Sequence, residues 1–392
     1  MSRPAPALTD VRHTKVCYSK DTYCGHPRQT GIFNYGNGEL VVGHSHAPSR
    51  YQVQDDVSHS FTTGYASRAQ IIFQRSFDHG ETWSEEDEVV IWDESLPLEE
   101  KRAILYRADE EAVSREQIDL TSPDAAVYFT RAATGPGRGD RRVLECFAFR
   151  SADRGRTWET VPTRISPPPG RTMVRRDAHP LVKFPDGTLL AITIVDGSTP
   201  TSSVSVYGSD DQGLTWEYLA EVTRDPTGLG NPGYADILLL PSGRLQCYML
   251  HGGHRNVIEL SHSDDGGYSW SERRPIVSWG HSPWAGRRTP GASRRGVHYR
   301  APWPLRLRDG RIVVLFGRRK PPFGMGLTVS EDDGETWSGE TIIRDDASSS
   351  DLSYPVATEL DDGRIFTAYY FMEADGNGFG GTRHIAGSFF RL

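Results

Sequence analysis

One eight-residue pattern returns five times along the chain: SFDHGETW at 76–83, SADRGRTW at 151–158, SDDQGLTW at 209–216, SDDGGYSW at 263–270 and SEDDGETW at 330–337. Each copy reads Ser-x-Asp-x-Gly-x-Thr/Ser-Trp. Five matches at five fixed places are not chance, and such a repeat means that one supersecondary unit has been copied. The octet has a mechanical logic. Glycine takes the backbone angles of a tight turn. The Asp carboxylate and the hydroxyls satisfy turn amides, and the Trp closes the hairpin. Asp78, Asp153, Asp211, Asp265 and Asp332 are therefore read as structural, although together they resemble a catalytic set.

A short apolar run precedes each octet, as in AQIIFQR and RVLECFAFR, and another follows most of them, as in EVVIW and ETIIR. Upstream lies a second turn signal: Asn37-Gly38, Asp186-Gly187, Ser242-Gly243, Asp309-Gly310 and Asp362-Gly363, each between apolar runs. Such pairs mark tight hairpins. The unit reads strand, hairpin, strand, loop, strand, octet, strand, and four antiparallel strands per unit make a propeller blade. The expected fold is all-β: a six-bladed β-propeller of four-stranded antiparallel blades, with seven blades as the alternative, forming a single domain over 1–392. Residues 99–126 lack the hairpin signal and are expected to carry a short helix. VRHTKVCYS near the N-terminus is expected to complete the last blade beside GTRHIAGSFFRL.

Composition narrows the function. With 36% hydrophobic and 24% charged residues a packed core is expected. The net charge of −8 speaks against a polyanion binder, so no nucleic-acid partner is expected. No apolar run approaches the ~18 residues that cross a bilayer, so no membrane partner is expected. The start lacks the apolar core of a secretory signal, and four cysteines make no disulfide framework, which suggests a cytoplasmic protein. Cys17 and Cys24 could pair. Neither CxxC nor HExxH occurs, and no metal or cofactor is expected. Nothing in the sequence sets the oligomeric state.

The octets resemble the Asp boxes, or bacterial neuraminidase repeats, of the sialidase superfamily, and the resemblance runs from about residue 25 to 390. It implies an arginine triad for a substrate carboxylate, an Asp acid/base, and a Tyr nucleophile assisted by Glu. Arg28, ten residues before Gly38, matches the first arginine, and Tyr354, nine before Gly363, matches the tyrosine. Asp55 and Asp56 fall in the loop of the acid/base. Tyr234 stands where the Glu is expected, with Asp236 two residues on, and no arginine follows near Met249. Arg300, Arg318 and Arg319 are candidates for the third arginine. The segments LRLRDGRIVVLFGRRKPPFGMGLTVSEDDGETW and DLSYPVATELDDGRIFTAYYF resemble a divergent, sialidase-like branch.

Blade geometry gives an independent selection. The first strand of each blade lines the central channel, and the second runs antiparallel, so first-strand starts and second-strand ends share one face. The starts bring Arg28, Asp177, His179, Tyr234, Asp236, Arg300 and Tyr354 to that face. The ends bring His44, His46, Asp196, His251, His254, Arg318 and Arg319. Guanidinium groups fork a carboxylate, a carboxylic acid protonates a leaving oxygen, and a neutral phenol attacks an anomeric carbon that already bears a carboxylate without repelling it. Tyrosine needs a neighbouring base, because its ordinary pKa of ~10 keeps it protonated at pH 7. Asp236 or Asp177 is the candidate for that base.

The leading expectation is an exo-glycoside hydrolase acting on a terminal carboxylate-bearing sugar. Its catalytic candidates are Tyr354, Asp55, Asp56, Asp236 and Asp177. Its substrate-binding candidates are Arg28, Arg300, Arg318, His44, His179, Tyr234 and His251. The alternatives are a uronate-type lyase using His and Tyr on the same propeller, and a carbohydrate-binding propeller without catalysis.

Overall fold

Six antiparallel sheets follow one another along the chain in this computed structural model, which describes residues 3–109, 114–136, 142–175, 181–197, 202–224, 232–251, 257–278 and 298–392. They are the blades of a six-bladed propeller. In the fourth blade, Pro232–Leu239, Leu245–His251, Val257–Ser263 and Arg274–Ser278 pair in chain order. The fifth blade repeats this with Tyr299–Arg306, Ile312–Arg318, Gly324–Ser330 and Thr341–Arg344. In the sixth, Ser353–Glu359, Ile365–Glu373 and Thr382–Arg391 are joined by Thr9–Cys17 from the other chain end, antiparallel to Thr382–Arg391. The second blade departs from the pattern. It has three strands among the described residues, and the segment before it forms a helix, Leu98–Leu105.

The octets explain why the blades form. In the first, the Ser76 hydroxyl donates to Asp78 Oδ1 at 2.8 Å and accepts from the Gly80 amide at 2.8 Å. Asp78 Oδ1 accepts from the Thr82 amide at 2.8 Å, its Oδ2 from the Thr82 hydroxyl at 2.5 Å, and Trp83 Nε1 donates to Gly80 O at 3.1 Å. The same Asp bonds recur around Asp153, Asp211, Asp265 and Asp332. The carboxylates are spent on their own turns. Beside them sit the X-Gly hairpins, all with positive φ at the glycine; His79 donates its amide to Gly38 O at 2.9 Å.

Between blades, alternate residues of each strand face opposite neighbours. On the first blade's second strand, Leu40 and Val42 pack toward the sixth blade while Val41 packs toward the second. On the fifth blade's second strand, Ile312, Val314 and Phe316 face the fourth blade, and Val313 and Leu315 the sixth. This period of two decides where the candidate residues beyond each strand end point.

Candidate functional site

The inner strands lose their regularity at the ends opposite the octets. The first blade's inner strand is split into Thr22–Gly25 and Ile32–Gly36, both pairing with Glu39–Pro48, with a 3-10 turn over Pro27–Gln29 between them. In the last three blades the inner-strand register shifts between Gly233 and Asp236, between Arg300 and Trp303, and between Ser353 and Val356. Each shift contains a residue in the left-handed region: Tyr234 at φ 52°, Ala301 at φ 49° and Tyr354 at φ 61°. A bulge with one left-handed residue breaks side-chain alternation and re-aims its neighbours. Non-glycine residues hold such angles only where surroundings over-determine them, and such places cluster at functional sites.

The result is a compact group around Tyr354. Arg300 Nη2 donates to the Tyr354 hydroxyl at 3.0 Å and also to the Tyr234 hydroxyl. Tyr354 donates to Tyr234 at 3.2 Å. The Arg300 guanidinium lies 4.1 Å from the Tyr234 ring centre, and that of Arg319 lies 5.9 Å from the Tyr354 ring. Two arginine Nε and Nη2 bonds to Leu352 O, at 3.0 and 2.8 Å, hold Arg319 there. Glycine at 317 makes the approach possible: a Cβ there would stand 2.2 Å from Ser353 Cβ, and Ser353 Oγ in turn donates to Arg300 O at 2.7 Å. Burial opposes ionisation of Tyr354, yet Arg300 and Arg319, with the Tyr234 hydrogen bond, hold its phenol below the ordinary value of 10.0.

A second shelf of rings adjoins it. The His26 ring lies 4.6 Å from that of Tyr354, edge to face, and its Nδ1 is 2.8 Å from the Tyr65 hydroxyl. The His59 ring lies 4.8 Å from that of His26. His59 Nε2 is 3.0 Å from the Tyr23 hydroxyl, which is 2.7 Å from that of Tyr370. Tyr370 hydrogen-bonds Asp351, whose carboxylate is 3.4 Å from Arg383 Nε.

The candidates divide accordingly. Tyr354, Tyr234 and Arg300 come together. Arg28 and Asp236 meet each other: Nε donates to Oδ2 at 3.0 Å, Nη2 stands 3.0 Å from Oδ1, and both side chains are fully enclosed. Asp236 is thus engaged by Arg28, which a buried charge requires. Arg318 shares the strand face of Phe316, so it turns to Glu340 Oε1 at 2.5 Å, away from the tyrosines. Arg319, one residue on, faces the sixth blade. His44 shares the face of Val42 and lies buried between blades, its ring nitrogens 3.2 Å from Ser45 O and 3.3 Å from Gln74 Oε1. Asp55 and Asp56 turn into their own loop: Asp56 Oδ2 accepts from the Gln52 and Val53 amides at 2.8 and 3.2 Å, and Asp55 Oδ1 from Thr63 at 3.1 Å. Asp177, His179 and His254 lie outside the described residues, as does the side chain of His251. Sequence reasoning passed over His26, His59 and Asp351. Each stands within five residues of a chosen candidate, in GHPR, DDVSH and DLSY.

Among the described residues, one group has the donor types of a metal site: Cys17, Cys24 and His44, with donor atoms within 4.8 Å of one another. The two thiols are free and 3.1 Å apart. This group lies at the seam between sixth and first blades and shares no residue with the tyrosine cluster.

Six blades, five of them with an Asp box, whose irregular inner-strand ends gather tyrosine, arginine and histidine define a sialidase-like propeller. The BNR repeat-like domain family matches residues 124–367, more than half of the chain, and the BNR/Asp-box repeat matches residues 74–85. The chain belongs to that family. It is 26% identical over 310 residues to a sialidase of Micromonospora viridifaciens, an alignment covering 76% of this chain and 44% of that protein. The chain therefore spans under half the length of that curated relative. A protein of unknown function from Dyadobacter fermentans shares the fold with a TM-score of 0.72 and 20% identity, over 97% of this chain and 99% of that one. The Trypanosoma rangeli sialidase bound to 2,3-difluorosialic acid as a covalent intermediate matches at TM-score 0.60 and 15% identity, over 100% of this chain and 59% of its own.

Proposed function

We propose that the protein is an exo-glycoside hydrolase acting on a terminal sugar that carries a carboxylate next to its anomeric carbon. The observation that carries the reading is the Tyr354 hydroxyl, 3.0 Å from Arg300 and 3.2 Å from Tyr234, with its phenol acidified by two guanidinium groups. Arg300 and Arg319 anchor the substrate carboxylate, since guanidinium groups match its geometry. Tyr354 attacks the anomeric carbon as its phenolate, its proton having passed to solvent water, while Arg300 and the hydroxyl of Tyr234 stabilise the charged oxygen. A phenol suits this role because a carboxylate nucleophile would face the substrate's own negative charge. The likeness to the sialidase of Micromonospora viridifaciens supports the same substrate class.

The test is turnover of 4-nitrophenyl glycosides of sialic acid, glucuronic acid and neutral sugars. The sialic acid glycoside is expected to be hydrolysed, and the glucuronide, whose carboxylate is remote from the anomeric carbon, and the neutral glycosides not. Tyr354→Phe removes one oxygen and leaves the packing, so kcat is expected to fall roughly 10³-fold or more with an unchanged melting temperature. Near-normal turnover by that variant overturns the reading. The imidazoles of His26 and His59 beside Tyr354 favour a second reading, β-elimination from a uronate. Its signature is ultraviolet absorbance from a new double bond in the product.

A further inference from the structure

We propose that His59 is the general acid and base of the site, with Nδ1 as the proton-carrying atom. The assignment rests on the hydrolase reading above. It begins with placement. His59 comes from the loop between the first blade's second and third strands, the loop that also carries Asp55 and Asp56. Those two carboxylates turn into the loop itself, whereas His59 reaches the ring shelf beside His26. Its ring is open to solvent, yet it is walled closely enough by protein that desolvation acts on it. The rings of Tyr23, His26 and Tyr65, 6.1, 4.8 and 5.2 Å away, stand edge-on around it.

The hydrogen bonds determine which nitrogen is used. Asp351 accepts from the Tyr370 hydroxyl. Tyr370 is then the acceptor for Tyr23 at 2.7 Å, and Tyr23 the acceptor for His59 Nε2 at 3.0 Å. Running from a carboxylate, which only accepts, the chain has one consistent direction and places the neutral ring's proton on Nε2. Among the described residues no hydrogen bond holds Nδ1. When the ring is protonated, the second proton sits there, and Asp351 supports the cation through the chain, as a carboxylate behind an imidazole does in general. His59 is also within electrostatic range of Arg300 and Arg319, the arginines that act on Tyr354. The His26 ring links acid and nucleophile, 4.8 Å from the His59 ring and 4.6 Å from that of Tyr354.

The step balances. The Tyr354 oxygen, whose proton has passed to solvent water, forms a bond to the anomeric carbon as the phenolate. The bond from that carbon to the leaving oxygen breaks with its electron pair going to oxygen, which takes the proton from His59 Nδ1. The neutral Nδ1 then accepts a proton from water as the water oxygen attacks the anomeric carbon and Tyr354 departs.

Desolvation lowers the His59 pKa from the ordinary 6.5; Asp351 raises it, and Arg319, Arg300 and Arg383 lower it further. The remaining groups packed against the ring, Tyr23, Tyr65 and His26, contribute no charge when neutral. The reactive cation is therefore present only at acidic pH, and activity falls as pH rises through a value below 6.5.

The experiment compares His59→Asn with the wild type on two glycosides of the same acidic sugar. The 4-nitrophenyl glycoside has a leaving group that departs without protonation, and the methyl glycoside has one that does not. We expect the variant to lose about 100-fold or more on the methyl glycoside and only a few-fold on the 4-nitrophenyl glycoside, with the alkaline limb of kcat/KM gone. The ratio of the two losses does not depend on how much of the variant folds. Equal losses on both substrates, or none, overturn the assignment of His59 and leave the hydrolase reading standing. A wild type that releases no sugar from any acidic glycoside overturns both.

Discussion

At the octet end of the blades five turns repeat one set of bonds, and at the channel end the inner strands of the first and the last three blades are interrupted, each presenting different side chains. The serine hydroxyl lies 2.8 or 2.9 Å from the Asp Oδ1 in every octet. Across the same blades, the first inner strand breaks around Arg28, the fourth bulges at Tyr234, the fifth at Ala301 and the sixth at Tyr354. Both ends belong to the same strands, so the difference is one of task. A blade edge can use the same turn in one blade after another. A site needs different groups to converge, and a regular strand offers only every second residue to the channel.

The comparison breaks if an octet carries chemistry. Trp337 is 7% exposed and its Nε1 donates to Gly334 O at 3.0 Å. Trp337→Ala is expected to cost about 3–5 kcal/mol of stability in denaturant titrations, with turnover per folded molecule unchanged. Kept stability with lost turnover would overthrow the structural assignment.

The channel end also contains an enclosed pair of opposite charges, and testing it sharpens the division. Asp236→Asn leaves the enclosed Arg28 guanidinium without its counter-charge, a loss of about 3 kcal/mol. Denaturation midpoints measure it. Because the charges of Arg28 and Asp236 offset each other in the enclosed interior, replacing both with apolar residues of similar size is expected to recover much of that loss.

Neighbouring arginines offer a finer test. Arg319→Lys is expected to raise KM for an acidic glycoside roughly tenfold, about 1.4 kcal/mol, since lysine lacks the planar fork. Arg318→Lys, whose parent side chain turns to Glu340, is expected to leave KM near the wild-type value. Equal effects in steady-state kinetics would remove the facing argument.

The smallest effect concerns the acid limb of stability. Although burial opposes it, Thr336 and Ser330 hydrogen bonds and the nearby Arg3 hold the Asp332 carboxyl at about 2. Its folded value lies below the ordinary carboxylate range, so its contribution is full above about pH 4 and lost as pH falls toward 2. With the side chain partly exposed, Asp332→Asn is expected to cost about 1 kcal/mol at neutral pH. Melting curves at a series of pH values should show the gap to wild type closing on acidification.

Much of the propeller was legible because its signals are local. The octets, the X-Gly pairs and the short helix before the second blade each rest on residues close in sequence. The site was legible only in part. Tyr354, Tyr234 and Arg300 were marked by their distance from a hairpin glycine. His59 and Asp351 were not, because neither sits at a strand end, and their connection runs through Tyr23 and Tyr370, side chains from the first and sixth blades. The choice between Arg318 and Arg319 depends on strand alternation referred to a particular neighbouring blade.

By itself the sequence determined the repeat, the turn chemistry of each copy, and hence an all-β ring of blades, because a turn's hydrogen bonds close within eight residues. Only the tertiary structure decided which ionisable groups gather around Tyr354 and which neutralise one another. Arg28 and Asp236 lie 208 positions apart, and Arg300 and Tyr354 come from adjacent blades. Their meeting is fixed by the packing of blade on blade and by bulges that re-aim single side chains, and long-range electrostatics follows that packing rather than the order of residues along the chain.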